Sequence, residues 1–104
     1  DEFGDRAAHL FARYGKDLRD LTRQLTPKDT GFMANAVKYE KFGIGFEVGW
    51  FWPDFAAAGH APYYWWVEFG KRDAPAQPSL GPAWAELQPH LLSDLNNLFR
   101  ATFR

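Results

Sequence analysis

Side chains that could do acid–base chemistry are few in this 104-residue chain. The obvious proton shuttles are His9, His60 and His90, and none has metal-ligand spacing to another histidine or to a pair of carboxylates. We therefore expect no metal and no other cofactor. His9 falls on a charged helix face and His90 follows a proline, so both are interpreted as surface residues. His60 lies in a loop among aromatic residues and is the one histidine of interest.

Nucleophilic and phosphate-binding patterns are equally sparse. Ser79 and Ser93 lack the Gly-x-Ser-x-Gly context of an activated hydrolase serine. The chain contains no cysteine, which removes thiol nucleophiles, disulfides and thiolate zinc sites. The glycines of Gly43-Ile44-Gly45 lie in an alternating strand pattern and miss the spacing of a phosphate-binding loop. The sequence thus favours a protein that is not an enzyme and binds no small-molecule substrate.

Glu68 is the one carboxylate embedded among aromatic residues, a setting in which a carboxylate can become catalytic. Because no acid or base partner lies near it in sequence, we favour a structural hydrogen bond or salt bridge. Its partner would be Lys71 or Arg72, or a group across a subunit boundary. An enzyme in which His60 and Glu68 come within hydrogen-bond reach ranks third among the functional hypotheses.

Composition limits the class of protein. Hydrophobic residues make up 46% and charged residues 24%, as in an ordinary globular chain, and we expect one domain over residues 1–104. The net charge of -1, with the two signs interleaved, disfavours nucleic-acid binding. Neither a membrane span of roughly 18 apolar residues nor a signal peptide is visible, which favours a soluble cytoplasmic protein. The chain opens with Asp1 rather than methionine, which is compatible with trimmed ends.

Aromatic residues, 18% of the chain, are concentrated in one stretch. Nine of them fall within twenty positions: Trp50, Phe51, Trp52, Phe55, Tyr63, Tyr64, Trp65, Trp66 and Phe69. The run from Tyr63 to Phe69 is apolar around nearly a whole helical circumference, so one side should meet the core and another a partner. Adjacent residues such as Trp65 and Trp66 project about 100° apart, so both are hard to bury in one small core. Which of the two faces outward is left open.

Two functions fit such an aromatic surface. The first is a protein interface, with Glu68 orienting the helix and with contacts from Trp50, Phe51, Trp52, Tyr64, Trp65 and Phe69. The second is a small carbohydrate-binding module that uses the same rings as a stacking platform. Because Asp54 and His60 are nearly the only polar side chains available for sugar hydroxyls, we favour the interface.

The sequence predicts an α+β fold, and its helices must position the aromatic residues and Glu68. Apolar residues recur at three-and-four spacing over residues 3–25, which predicts a long amphipathic helix that ends at Thr26-Pro27. A short helix is expected over residues 31–36, with Asp29 or Thr30 as its N-cap. Residues 53–62 are interpreted as a loop with one helical turn, and residues 63–69 as a helix that Gly70 ends.

A final helix is predicted after a proline-rich loop, with Pro82 at its first position. Its apolar face contains Trp84, Leu87, Leu91, Leu95, Leu98 and Phe99. Pro89 is expected to kink this helix or to split it. Arg100 and Arg104 lie at its end, where positive charge is favourable.

Period-two alternation predicts an antiparallel β-hairpin over residues 37–50, with its turn around Lys41 to Gly43. The alternating apolar row comprises Phe42, Ile44, Phe46, Val48 and Trp50. Glycines occupy positions 43, 45 and 49 on the opposite side. We therefore expect another surface to pack closely against that glycine-lined face.

The order of these signals resembles a family, the small tail-component or neck proteins of long-tailed bacteriophages and related prophage and gene-transfer particles. The amphipathic helix is followed by a proline-led Thr-Gly motif from Pro27 to Phe32, and the hairpin ends at Val48-Gly49. A Tyr-x-x-x-Val-Glu-Phe-Gly signature spans Tyr63 to Gly70, and Pro82-Ala83 stands at the head of the last helix. The resemblance covers about residues 5–100.

The chain departs from that family in three respects. Trp65 and Trp66 are bulkier than is typical of the family. Lys71 stands where the family usually has threonine, and Ser79 or Leu80 stands where it usually has an aromatic residue before the final Pro-Ala. Among the matching motif residues, Thr30, Gly31, Gly70 and Pro82 have an implied structural role.

The resemblance implies a non-enzymatic virion component at the head–tail junction or upper tail, where it serves as a connector or tail-completion subunit. It would assemble in the cytoplasm of the bacterial host. Its partners would be further copies of itself in a homo-oligomeric ring and other neck or tail proteins. Ring subunits need two unlike surfaces, and the aromatic helix and the glycine-lined sheet are the two that the sequence offers.

Overall fold

The computed structural model describes residues 2–27 and 31–103, and this part of the chain has the predicted α+β architecture. Its elements are α1 (Glu2–Leu25), α2 (Gly31–Ala36), β1 (Lys38–Phe42), β2 (Gly45–Gly49), α3 (Trp52–Ala57), α4 (Tyr64–Phe69) and α5 (Leu80–Thr102). The N-cap expected at Asp29 or Thr30, the motif residue Thr30 and the terminal Arg104 lie outside the described residues.

Two long helices, α1 and α5, form an antiparallel pair that runs the length of the molecule. The ring of Phe3, near the start of α1, lies 6.0 Å from that of Phe99, near the end of α5. At the other end of the pair, the hydroxyl oxygens of Thr26 and Ser79 are 3.1 Å apart. The molecule measures 54 × 26 × 20 Å, and a 23-residue helix alone spans about 35 Å.

Pro89 was expected either to kink the last helix or to split it. The helix is not divided there, so the split is wrong and a kink stays a prediction. It runs without interruption from Leu80 to Thr102 with Pro89 inside it. Pro89 removes one backbone donor from the helix, but its ring is exposed to solvent. Ala83 precedes it and Leu91 follows it, and both are buried, so the helix is packed on both sides of the proline. Pro82 is the third residue of the helix rather than the first, because the chain becomes helical at Leu80.

The β-hairpin reverses at Gly43 and Ile44, slightly later than the turn predicted from sequence. Its register pairs Tyr39 with Val48 and Lys41 with Phe46. Residues directly opposite one another in an antiparallel pair share a face of the sheet. Phe42 pairs with Gly45 and so lies on the other face from Phe46, which breaks the single apolar row expected from alternation.

The inner face of the hairpin packs on α1 at a glycine. The rings of Phe11 and Phe46 are 6.5 Å apart, and a Cβ atom added to Gly15 would lie 2.9 Å from Cγ of Phe46. In contrast, a Cβ atom at Gly43 would meet nothing within 4 Å, and one at Gly45 would meet only the carbonyl of Phe42. At Gly49, the third glycine of the face expected to be closely packed, a Cβ atom would lie 3.8 Å from the Leu80 side chain. Within this chain, the expected packing is therefore present at the base of the hairpin and not at Gly43 or Gly45.

Residues 52–57 form the helix α3, which is longer than the single turn expected in that segment. Pro53 lies in its first turn, where its missing N–H costs nothing. Phe55 is fully buried, with its ring edge-on to those of Phe32 at 4.9 Å and Tyr64 at 4.7 Å. This aromatic contact fixes α3 between α2 and α4. Among the described helices, none is long and apolar enough to cross a membrane.

Candidate interaction surface

Glu68 fixes the position of α4 relative to α5. Its side chain is buried, and its carboxylate accepts hydrogen bonds from the backbone N–H groups of Ser79 at 2.9 Å, Leu80 at 3.2 Å and Gly81 at 2.9 Å. The first amides of a helix have no partner within the helix, and a negative charge is favourable at this end. Glu68 thus makes the structural hydrogen bonds predicted for it, but to these amides rather than to Lys71 or Arg72.

Further hydrogen bonds connect the same region to the end of α1. The Thr26 hydroxyl donates to the Thr22 carbonyl at 2.6 Å and also contacts the Ser79 hydroxyl, and all three residues are buried. In the loop after α4, the N–H of Gln77 donates to the Val67 carbonyl at 2.8 Å. Hydrogen bonds therefore fix α4 in two places, at Glu68 on its buried side and at Val67, which pairs with the loop that follows the helix.

The opposite side of α4 presents three large aromatic residues to solvent. Trp65 is 57% exposed, Trp66 45% and Phe69 68%, so both tryptophans face outward. The rings of Trp65 and Phe69 lie 5.2 Å apart, and the Lys71 ammonium lies 5.4 Å from the Trp66 ring centre. We call Trp65, Trp66 and Phe69 the aromatic face of α4. Trp66 was absent from the predicted contact residues, although its step of about 100° from Trp65 could have placed it there.

The other predicted contact residues have partners within the chain or lie on α3. Trp50 is half-buried, donates its indole N–H to the Met33 carbonyl at 3.0 Å and stacks on the ring of Tyr64. Phe51 is half-buried, with the Lys38 ammonium 5.0 Å from its ring centre. Trp52 stands at the start of α3, about half exposed. Trp50 and Tyr64 therefore belong to an internal aromatic cluster with Phe55, and Trp65 and Phe69 belong to the exposed aromatic face of α4. Phe51 and Trp52 belong to neither group.

An apolar groove runs beside the aromatic face of α4. It is an open depression of about 480 Å³, and its apolar lining includes Phe46, Val48, Phe69, Leu80 and Trp84. A second depression of about 240 Å³ adjoins it and reaches Trp50, Tyr64 and Trp65. Glu68 borders both, but its carboxylate is already occupied by amides of α5. The groove thus offers apolar contact and no free catalytic acid.

The tip of the β-hairpin exposes two further apolar side chains that the sequence reasoning missed. Phe42 is 68% and Ile44 59% exposed. Both were counted in an apolar row expected to lie on one face of the strands. A turn at Gly43 and Ile44 would have separated them from the row, because it places Ile44 in the turn and Phe42 on the opposite face from Phe46.

The side chains considered for catalysis lie apart from one another. The His60 ring lies 4.5 Å from that of Phe32 and 5.9 Å from that of Tyr63, and it shares no hydrogen bond with Glu68. Ser79 is fully buried, so it is inaccessible as a nucleophile. Across residues 2–27 and 31–103, no three potential metal-binding side chains cluster together. The geometry does not bring together the pair that the enzyme hypothesis required.

A polar contact between α1 and α5 lies far from the aromatic face. The Tyr14 hydroxyl donates to the Asp94 carboxylate at 2.5 Å, and the Arg13 guanidinium contacts the same oxygen at 3.0 Å. The hydrogen bond to Asp94 and the burial of the phenol raise the pKa of Tyr14 above its ordinary value. His90 and Ser93 line the open depression beside it. We interpret the contact as a link between the two long helices, and sequence could not reveal it because its residues lie 80 positions apart.

Comparison with family models, with curated proteins and with solved structures finds no match to this chain. Its function must therefore be argued from the order of its motifs and from the described geometry. That geometry offers a rigidly held aromatic face with an apolar groove beside it. Exposed aromatic side chains on such a surface are typical of sites that bind a macromolecule.

Proposed function

We propose that this chain is a structural virion component of a tailed phage or phage-like particle, located at the head–tail junction or upper tail. Copies assemble into a ring that helps to join head and tail, together with other neck or tail proteins. The observation that carries the proposal is the exposed aromatic face of α4, which lies within the family-like motif from Tyr63 to Gly70. The proposed role involves no reaction and no cofactor.

The way α4 is held supports a role in assembly. A binding surface that is already ordered loses little conformational entropy when a partner docks. Glu68 and the loop at Gln77 fix the inner side of the helix, and Gly70 ends it with a positive φ of 81°. Tryptophan and phenylalanine on such a fixed element are typical anchors of protein interfaces.

The carbohydrate-binding alternative gains no support from the described contacts. The two polar side chains expected to bind sugar hydroxyls are engaged elsewhere, since Asp54 pairs with the Lys38 ammonium at 3.1 Å and His60 packs on Phe32. The aromatic face of α4 is bordered instead by Lys71 at the end of the helix. A protein partner therefore remains the stronger proposal.

The experiment that tests this function is electron microscopy of particles from a host that carries the gene for this chain. We expect density for subunits of about 54 Å length, repeated around the particle axis at the head–tail junction or upper tail. Deletion of the gene should leave heads and tails that do not join or tails that do not mature. Normal, fully joined particles in the deletion strain would contradict the proposal.

A further inference from the structure

The side of the β-hairpin that faces away from α1 carries an uncompensated negative charge. We call this side, with Lys38, Glu40, Phe42 and Glu47, the outer hairpin face. Glu40 and Glu47 are exposed and directly opposite each other, an arrangement that destabilises an isolated sheet. The Lys38 ammonium lies 3.3 Å from Glu40 but is shared with Asp54. Glu47 makes no ion pair or hydrogen bond within the described residues.

Apolar residues adjoin this acidic pair at the hairpin tip. Phe42 lies on the outer hairpin face and Ile44 in the turn, and each exposes more than half of its surface. Lys41 is also exposed near the tip, but it pairs with Phe46 and so lies on the opposite face of the strand. The outer hairpin face, with exposed Phe42 and an unpaired carboxylate at Glu47, is best covered by a surface that is both apolar and cationic, since contact then buries apolar area and pairs the charge.

The aromatic face of α4 has this complementary character. After Gly70 come Lys71 and Arg72, both exposed. Arg72 makes no ion pair within residues 2–27 and 31–103, and Lys71 contacts only the Trp66 ring and its own turn. Asp73 follows, so the turn has two cations and one anion and is net positive. Exposed aromatic rings and basic side chains therefore lie side by side.

The two surfaces cannot meet within one copy of the chain. Ile44 lies beside the first half of α1, at the level of Asp5 to Ala12. The groove beside α4 lies instead at the base of the hairpin, where a Cβ atom on Gly49 would be 3.8 Å from the Leu80 side chain. A five-residue strand of about 17 Å separates the two levels. Complementary surfaces at different places on one molecule join copies head to tail.

We propose that the hairpin tip of one copy docks on the aromatic face of α4 of the next copy. Phe42 and Ile44 lie against Trp65 and Phe69, and Glu47 of the outer hairpin face pairs with the basic turn after α4. This inference deepens the proposed ring function and rests on it, because it names the contact through which successive subunits join.

Disulfide trapping tests the contact, since the chain has no native cysteine to interfere. One copy carries Ile44→Cys and a second, mass-tagged copy carries Phe69→Cys. Under mild oxidation we expect the mixed disulfide, at about twice the chain mass of 12.0 kDa, to form at least tenfold faster than for a control pair. The control pairs Leu92→Cys with Phe69→Cys, because Leu92 is 55% exposed and Ile44 59%. Equal rates for the two pairs would overturn the proposal.

Charge reversal tests the electrostatic part within the same assay. Glu47→Lys in the first copy should slow trapping severalfold, and Lys71→Glu with Arg72→Glu in the second copy should do the same. Combining the reversed copies should restore most of the original rate. Glu86→Lys is the matched control, because Glu86 is an exposed glutamate on α5. A loss as large for Glu86→Lys, or no recovery in the combined pair, would contradict the assigned pairing.

The two proposals fail in different ways. If microscopy places the chain in a ring of the particle but trapping shows no preference for the hairpin, the subunit contact is wrong and the function stands. If trapping is specific but joined particles form without the chain, the chain self-associates as described and the virion role is wrong.

Discussion

At the scale of single residues, Glu68 shows how a buried carboxylate among aromatic residues can be structural. Its two oxygens accept three backbone hydrogen bonds at the start of α5, so it has little capacity left for proton transfer. Hydrogen bonds to a charged acceptor contribute more than neutral ones, and leaving several amides unpaired in a buried position is costly. Glu68, one of the two residues considered for catalysis, therefore holds the start of α5 and contributes to stability.

We expect Glu68→Gln to lower the free energy of unfolding by about 2 kcal/mol. The substitution removes the charge and places an amide donor against backbone donors of α5. Urea denaturation followed by tryptophan fluorescence gives the change. Glu86→Gln, on the exposed side of α5, should change stability by less than about 0.5 kcal/mol. Equal effects of the two substitutions would refute the capping role.

The Tyr14 hydroxyl should stabilise the fold in a pH-dependent way. We expect Tyr14→Phe to cost about 1 kcal/mol at neutral pH, because it removes the hydrogen bond to Asp94. The folded-state pKa of Tyr14 is raised, so its contribution is present below the ordinary tyrosine pKa of about 10 and is lost as pH rises through the folded-state pKa.

Urea titrations of the unaltered protein and of Tyr14→Phe, at neutral and at strongly alkaline pH, measure the difference in their free energies of unfolding. This difference should shrink at alkaline pH. Other groups that titrate in this range, including Lys38 and Tyr63, are shared by both proteins and cancel in the comparison. Tyr39→Phe is the control, because the Tyr39 hydroxyl has no hydrogen bond within the described residues. A constant difference across the pH range would exclude the assigned linkage.

At the scale of elements, short segments gain their stability from the two long helices. A six-residue helix such as α4 or α3 is far below the length at which isolated helices persist in water. Hydrogen bonds to α5 fix α4, and burial of Phe55 fixes α3. A two-stranded hairpin is also marginal alone, so the contact of Phe46 with α1 sets its position.

We expect Gly15→Ala to destabilise the protein by about 1 kcal/mol, because the added methyl group would lie 2.9 Å from Cγ of Phe46. At a helix position with free space, Gly→Ala would raise the free energy of unfolding by roughly 0.5 to 1 kcal/mol. The sign of the measured change therefore shows whether Phe46 packs against Gly15. Thermal or urea unfolding measures it. In a Phe46→Ala background the substitution should become neutral or stabilising. If Gly15→Ala stabilises the protein while Phe46 is present, the hairpin does not approach α1 this closely.

At the scale of the whole molecule, the antiparallel pair of α1 and α5 separates two exposed apolar surfaces, one adjoining the acidic outer hairpin face and the other adjoining the basic turn after α4. The hairpin tip lies beside the first half of α1, and the aromatic face of α4 lies near the start of α5. A rigid subunit with unlike surfaces at different positions propagates head to tail, and it forms a closed ring when the rotation between copies allows. This arrangement is the physical basis of the proposed assembly.

Trp65→Ala should weaken self-association by about 2 kcal/mol or more, roughly thirtyfold in Kd, if Trp65 is buried between copies. Its stability should change little, because the side chain is 57% exposed in the single chain. Sedimentation analysis over a range of concentrations gives the association constant. Leu92→Ala removes a similarly exposed apolar side chain from α5 and serves as the control. An unchanged association in Trp65→Ala would remove Trp65 from the interface.

Much of the fold was predictable from local patterns. The three-and-four spacing over residues 3–25 predicted α1, and Gly70 predicted the end of α4. The turn position and the continuity of α5 through Pro89 were less predictable, since both depend on packing against α1 as well as on local preference. The candidate surface was partly predictable, because aromatic density identified α4 but could not separate its exposed rings from the half-buried Trp50 and Tyr64.

The sequence by itself determined the class of fold and the location of the aromatic stretch, because each depends on residue types and spacing along the chain. Only the tertiary structure decided that Glu68 holds the start of α5 and that both Trp65 and Trp66 face outward. It alone also showed that the acidic side of the hairpin lies open. These features depend on contacts between segments distant in sequence, and local preferences contain no information on which segments will meet.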